Sequence, residues 1–214
     1  MSKLMLKMSL SMDGFCADSE PNGPQKWLFS TTDDESNAWE LSFLKNAGYH
    51  AMGHKTYRDM AGFWPVSTDG FADLMNSIPK LIFTRRGLDA DDAAITSRAV
   101  EEARKHPKGK AIPGADIIRS WTHPRVAKGD LGEEIAKLKR EDGKDIIAYG
   151  GASFAQSLIE PDVVDEYRFL IHPVILGRGL PVFTKAKKLL ELELIEERRF
   201  PQGAVAHVYN RKRS

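Results

Sequence analysis

Two places in the 214-residue chain put glycine directly between a strand-like run and a helix-like run. They are Met52-Gly53-His54-Lys55-Thr56 and Tyr149-Gly150-Gly151-Ala152-Ser153. Glycine lets a backbone approach an anion closely. The helix that follows offers unpaired N–H groups and the positive end of its dipole. Two such junctions on one parallel sheet open on the same edge, where α/β proteins bind their ligands. Together they point to a ligand with more than one phosphate.

Other chemistries fit less well. Gly48-x-x-x-x-Gly53-His-Lys-Thr56 nearly spells a P-loop, but His54 stands between the second glycine and the lysine, which displaces Lys55 from the β- and γ-phosphates. Tyr49–Met52 also reads as the strand itself, lying where that loop would have to be. The dinucleotide fingerprint Gly-x-Gly-x-x-Gly is absent. His50 and His54 are separated by a strand and a turn rather than set on one helix face, so no metal site is expected. The lone Cys16 reads as a small hydrophobe rather than a nucleophile. Trp27, Trp39, Trp64 and Trp121 read as core, and the short Arg211-Lys-Arg213 tail does not suggest nucleic-acid binding.

The elements that must position the glycine junctions follow from periodicity. Leu4, Leu6, Met8, Leu10 and Met12 alternate with Met5, Lys7, Ser9 and Ser11 in a first strand that Asp13-Gly14 ends. A loop with Pro21, Gly23 and Pro24 follows. Thr32-Asp-Asp-Glu35 reads as a capping box for a helix bearing Trp39, Phe43 and Ala47, with Gly48 as its stop. Tyr49–Met52 and Lys80–Thr84 are compact strands. Residues 88–114 read as an irregular surface insertion with an acidic patch (Asp89, Asp91, Asp92) and a helical stretch near 99–106. Asp116–Trp121 and Pro124–Ala127 suggest one or two strands, and Leu131, Ile135 and Leu138 a helical face. Ile146–Tyr149 is a buried strand, followed by a helix that Pro161 stops. Further strands are expected at Val163–Ile171, Val174–Leu176, Leu192–Glu197 and Ala204–Asn210. Strand–helix alternation over the first 160 residues argues an α/β fold with a largely parallel sheet and an antiparallel C-terminal edge.

Composition narrows the partners. Lys and Arg number 31 against 30 Asp and Glu, a formal net charge of +1, so no general attraction to nucleic acid or an anionic membrane is expected. At about 150 residues per domain the length fits one domain, residues 1–214. Lys7 and the serines interrupt the mildly leader-like start, no apolar run approaches the roughly 20 residues that span a bilayer, and one cysteine cannot form an internal disulfide. A cytoplasmic location is the expectation.

Five short segments, in order, carry a resemblance: Ser-Leu-Ser-Met-Asp-Gly-Phe at 9–15, Met-Gly-x-Lys-Thr at 52–56, Leu-Ile-Phe-Thr-Arg at 81–85, Asp-Ile-Ile-Ala-Tyr-Gly-Gly-Ala-Ser-Phe at 145–154 and His-Pro-Val-Ile-Leu-Gly-Arg-Gly at 172–179. Over nearly the whole chain this resembles the dihydrofolate reductase superfold, in the branch typified by the C-terminal reductase domain of the bifunctional riboflavin-biosynthesis deaminase-reductase. The resemblance implies a three-layer α/β fold with a mostly parallel eight-stranded sheet, an NADPH cofactor and a homodimer.

It also implies roles. Gly53, His54, Lys55 and Thr56 would bind phosphate. Thr84 and Arg85 would read the adenosine 2′-phosphate, whose geometry a guanidinium fork matches. Tyr149, Gly150, Gly151, Ala152, Ser153 and Phe154 would lie at the pyrophosphate, with a cis peptide joining the two glycines. Ser9 and Ser11 would face the nicotinamide and substrate, and Asp13 would open a loop over them. The substrate-orienting carboxylate of dihydrofolate reductase falls here on Asn37, with Ala38 and Leu41 beside it. Asn37 and Asp13 are therefore the catalytic candidates, with Asp33 and Asp34 reading as caps.

The implied reaction is NADPH-dependent hydride transfer to a C=N or C=O carbon of a small pyrimidine-like substrate, as in a 5-amino-6-(5-phosphoribosylamino)uracil reductase. The alternatives are dihydrofolate reductase and a non-catalytic nucleotide-binding or dimerising module. The deaminase signature, His-x-Glu with Pro-Cys-x-x-Cys, does not occur.

Overall fold

The computed structural model describes residues 1–19, 25–141 and 143–213, so the loop expected at Pro21, Gly23 and Pro24 lies outside the described residues. The first half of the chain runs β1 (Leu4–Ser11), β2 (Phe15–Ala17), α1 (Lys26–Ser30), α2 (Asp34–Leu44), β3 (Ala47–Gly53), α3 (His54–Phe63), α4 (Ala72–Ser77), β4 (Lys80–Phe83) and α5 (Ala90–Lys105). It continues with α6 (Ala115–Thr122), β5 (Arg125–Ala127), α7 (Leu131–Arg140), β6 (Asp145–Tyr149), α8 (Ala152–Ile159), β7 (Glu166–His172), β8 (Leu180–Pro181), β9 (Leu192–Arg199) and β10 (Val205–Arg211). Eight strands form one sheet in the order β5-β4-β3-β6-β1-β7-β10-β9. All neighbours from β5 to β7 pair in parallel, and β10 pairs antiparallel with both β7 and β9.

β1 lies between β6 and β7 and is covered on both faces, so its alternation sorts two layers rather than core from solvent. Leu4, Leu6, Met8 and Leu10 join Ile135 and Leu138 of α7 and Ala155, Leu158 and Ile159 of α8. Met5 joins Trp39, Phe43 and Leu44 of α2 and Met75 of α4 on the other face. Each large side chain buried this way contributes roughly 1.5–3 kcal/mol. Lys7 and Ser9 share the Met5 face, and this places polar groups beneath α2.

Several local expectations are corrected. The N-cap of α2 is Asp33, not Thr32: its Oδ1 accepts the Ser36 N–H at 2.8 Å while Ser36 Oγ accepts the Asp33 N–H at 2.9 Å. The helix ends at Leu44, and Ala47 and Gly48 already belong to β3. Gly48 is there because a Cβ would come within 2.9 Å of the Lys144 carbonyl oxygen.

The stretch expected to be irregular contains α5, which starts at Ala90, well before residue 99. The acidic patch forms its capping box, and it buries Thr96, Val100 and Ala103. Asp116–Trp121 is helix rather than strand: Ile117, Ile118 and Trp121 at i, i+1 and i+4 lie along one side, and Trp121 is fully buried. Val174–Leu176 forms no strand, while Leu180–Pro181 pairs with β2 in a separate two-stranded sheet. No described peptide bond is cis, so Gly150–Gly151 is trans.

Candidate active site

Register builds the first part of the site. In the parallel pairing of β1 with β6, Lys7 lies opposite Tyr149. Both sit below α2, where Glu40 follows Asn37 by one turn. Lys7 Nζ meets Glu40 Oε2 at 2.6 Å, and the two side chains are only 10% and 12% exposed. The Tyr149 hydroxyl donates to the other carboxylate oxygen at 2.6 Å, and Lys7 Nζ stands 5.4 Å from the Tyr149 ring centre. Burial, reinforced by the Glu40 charge, pushes the Tyr149 phenol well above its usual value, which keeps it a donor.

These groups form the polar side of a cavity of about 310 Å³, a size usual for small-molecule sites. Ser9, Thr32 and Asn37 add hydrogen-bonding groups. Leu28, Phe29, Met60, Trp64, Phe71, Met75 and Leu170 supply the apolar walls, and Asp69 stands exposed at the rim.

The glycine junctions meet as expected on one edge. Gly53 and its helix, Gly150, Gly151, Ala152, Ser153 and Phe154 line a cleft of about 590 Å³. The Gly151 N–H donates to Thr56 Oγ1 at 3.3 Å, which ties the two junctions together. A Cβ on Gly53 would approach Phe154 Cβ to 3.2 Å, so glycine lets β3 and α8 pack closely here. The cleft continues past Phe83, Arg85 and Lys185 into a space of about 670 Å³ that Thr84, Lys128 and Lys187 also line. Consecutive residues at the end of β6 join the two regions: Tyr149 lines the small cavity and Gly150 the cleft.

The other expected residues are placed as follows. Lys55 is exposed and pairs with Asp59 at 3.1 Å. His54 Nε2 lies 2.8 Å from Asp92 Oδ2, so its ring is turned toward α5. Burial pushes the Asp92 carboxyl up, but bonds from His54, the Asp89 N–H and Arg58 prevail and hold it at about 2. Thr84 donates to the Gly87 carbonyl at 3.1 Å, and Arg85 is exposed.

Tyr149 faces the small cavity rather than the cleft. Ser9 and Asn37 line that cavity, whereas exposed Ala38, half-buried Leu41 and buried Ser11 do not. Asp13 also lies away from it. It accepts from Ser11 Oγ at 2.6 Å, from the Leu176 N–H at 3.1 Å and from the Gly177 N–H at 2.7 Å, and these bonds lower its carboxyl. It thus ties the first turn to the segment after β7. Cys16 is half-buried beside the cleft, its thiol donating to the Leu180 carbonyl at 3.3 Å and pushed up by burial. Trp64, read as core, is a cavity wall.

Lys7 and Glu40 are the site residues that sequence reasoning missed. One signal was available: Glu40 is three residues after Asn37 and shares its helix face. Lys7 stood alone as a charge on an otherwise small or apolar strand face.

An eight-stranded sheet with helices on both faces, its ligand cleft at the strand ends, and an antiparallel β9–β10 edge is the dihydrofolate reductase-like three-layer architecture. The chain matches the RibD C-terminal domain family over residues 2–206 and belongs to that family. It is 33% identical over 147 residues to the uncharacterized protein YyaP of Bacillus subtilis (strain 168), covering 66% of this chain and 78% of YyaP. In structure it resembles a putative riboflavin biosynthesis protein from Shewanella sp. PV-4, with a TM-score of 0.71, 18% identity and 99% of both chains covered. It also resembles the diaminohydroxyphosphoribosylaminopyrimidine deaminase/5-amino-6-(5-phosphoribosylamino)uracil reductase of Thermotoga maritima, with a TM-score of 0.61 and 15% identity over 99% of this chain and 57% of that one. Among the described residues no helix is long and apolar enough to cross a membrane.

Proposed function

We propose that the protein is an NADPH-dependent oxidoreductase of the pyrimidine reductase kind, delivering hydride to a C=N or C=O carbon of a small heterocycle. The observation that carries this reading is the junction at Tyr149–Gly150, where a phosphate-competent glycine cleft meets a cavity holding a buried Lys7–Glu40–Tyr149 chain. The cleft's donor set fits the cofactor. Gly53, Gly150 and Gly151 leave backbone open to a pyrophosphate, Thr56 and Ser153 add hydroxyls at two helix starts, and Arg85 with Lys185 suits a 2′-phosphate. When bound, NADPH supplies the hydride.

The chain's own residues orient and protonate. Glu40 holds Lys7 Nζ and Tyr149 Oη in place through one oxygen each. An ammonium has three donors, so Lys7 retains N–H groups for the substrate's carbonyl oxygen or imine nitrogen. From there it can give that heteroatom the proton that accompanies hydride addition to the carbon. The apolar walls exclude water, and positioning of this kind can contribute about 7–11 kcal/mol.

Glu40 also supports dihydrofolate as a second substrate reading, because a carboxylate stands on α2 one turn beyond Asn37, the place expected to carry it. We propose a homodimer as the assembly. The exposed outer edge of β9, with Leu194 and Ile195 about half exposed, supports that reading.

The test is direct. NADPH binding is followed by tryptophan quenching, and NADPH oxidation is measured against a ribosylaminopyrimidine and dihydrofolate side by side, within a wider imine and carbonyl panel. Binding with turnover of at least one compound is expected. Binding without any turnover would leave the non-catalytic nucleotide-binding module in its place.

A further inference from the structure

The groups able to meet a phosphate are segregated. Arg85, Lys128 and Lys185 line the glycine cleft or the space adjoining it, together with Lys55 and Lys187, which pair with Asp59 and Glu160 on the exposed rim. The small cavity has one cation among the described residues, Lys7, and the residues outside the description include no lysine or arginine. That ammonium is already engaged by Glu40 at 2.6 Å. Asp69 at the rim adds a second carboxylate, so two negative groups face one positive group. A phosphate dianion placed there would meet like charge from Glu40 and Asp69 and, among the described residues, no cation besides the Glu40-paired Lys7.

The remaining surface points the same way. Trp64, Phe71, Met60 and Met75 offer flat apolar contact, while Asn37, Thr32 and Ser9 offer uncharged hydrogen-bonding groups. Such walls suit a planar ring with a polar edge. The Thermotoga maritima relative is described as acting on a phosphoribosyl compound. Among the described residues, this cavity offers the phosphate of such a substrate no cation other than the Glu40-paired Lys7.

Resting on the reductase reading above, we infer that the substrate is an uncharged planar heterocycle without a phosphate group, bound with its reducible C=N or C=O edge toward Lys7 and its ring against Trp64 and Phe71. The chain's specificity then differs from that of a phosphoribosyl-pyrimidine reductase although the fold is shared.

Matched pairs test this. Uncharged pyrimidine, pteridine and other imine or carbonyl heterocycles, including a ribosylaminopyrimidine, are each compared with a phosphate-bearing counterpart. NADPH is saturating, so that a phosphate cannot report through the cofactor cleft. The expected result is a kcat/KM at least tenfold higher for the uncharged member of every pair that reacts. A smaller ratio, or preference for the phosphate, overturns the inference while leaving the reductase intact. Absence of NADPH binding, or binding with no turnover of any member, overturns the reductase reading and this inference with it.

Discussion

Lys7 and Glu40 are each almost fully withdrawn from water, and neither is tolerable there alone. Removing one partner of such a pair leaves an uncompensated buried charge and costs about 3–5 kcal/mol, whereas neutralising both can be nearly neutral. We therefore expect Lys7→Met and Glu40→Gln to destabilise singly and the double variant to regain much of the loss, as urea melts would report. Turnover should fall about 10²–10⁴-fold in all three, the usual range for a lost acid–base group, while NADPH affinity stays unchanged. His50 makes a second prediction at this scale. It is fully buried, both ring nitrogens lack partners, and its ring lies edge-on to Tyr149 with centroids 4.9 Å apart. Burial, helped by the Lys80 charge, pushes its imidazole down to about 3. The folded state therefore stays neutral where the unfolded chain takes up a proton below about 6.5, so stability is lost as pH falls from 6.5 through 3. His50→Phe should flatten that acid limb in a series of urea melts. Lys80, pushed down by burial to about 7, has the same sign in a higher window: stability rises with pH from 7 toward the unfolded value of 10.5.

Helix α2 does two jobs with two faces. Trp39, Phe43 and Leu44 bury against the sheet, and Asn37 and Glu40 project into the cavity. Its start is held by the Asp33–Ser36 capping box, and Asp33 Oδ2 also accepts the Gln202 N–H of the β9–β10 turn at 2.9 Å. Asp33→Ala should thus cost about 1–2 kcal/mol in thermal or urea unfolding, the upper part of the range for a lost cap. It should also raise KM for the substrate more than it lowers kcat, since the first turn positions Asn37. Capping was visible in the acidic run, but the capping residue was displaced by one position because Thr32, Asp33 and Asp34 are all acceptable caps. Helix α6 was missed for a different reason. Ile117, Ile118 and Trp121 have strand-like residue types, and only packing selects the helical spacing: Ile117 and Trp121 against the α3 and β4 cluster, Ile118 against Val66 and α5.

At the scale of the molecule, the net charge of +1 hides an uneven distribution. Five cations line the glycine cleft and the space adjoining it, whereas two carboxylates face one lysine at the small cavity. Cofactor binding should accordingly weaken with salt, and substrate KM should change little, when NADPH affinity and KM are measured across an ionic-strength series. Arg85→Ala should weaken NADPH far more than NADH. Equal loss of both would remove Arg85 from the 2′-phosphate.

What the chain determines locally is readable without its fold. The alternation in β1, the two glycine junctions and the antiparallel C-terminal pair follow from residue types at short spacing, where propensity and burial agree. The Lys7–Glu40–Tyr149 group belongs to the tertiary structure. Its members are brought together by the β1–β6 register and by α2 lying across both strands. In the sequence, Lys7 is a lone charge on a strand face and Glu40 one acidic residue among several in a helix. Only burial in the same place makes each necessary to the other, and that shared burial turns two ordinary charges into a candidate catalytic pair.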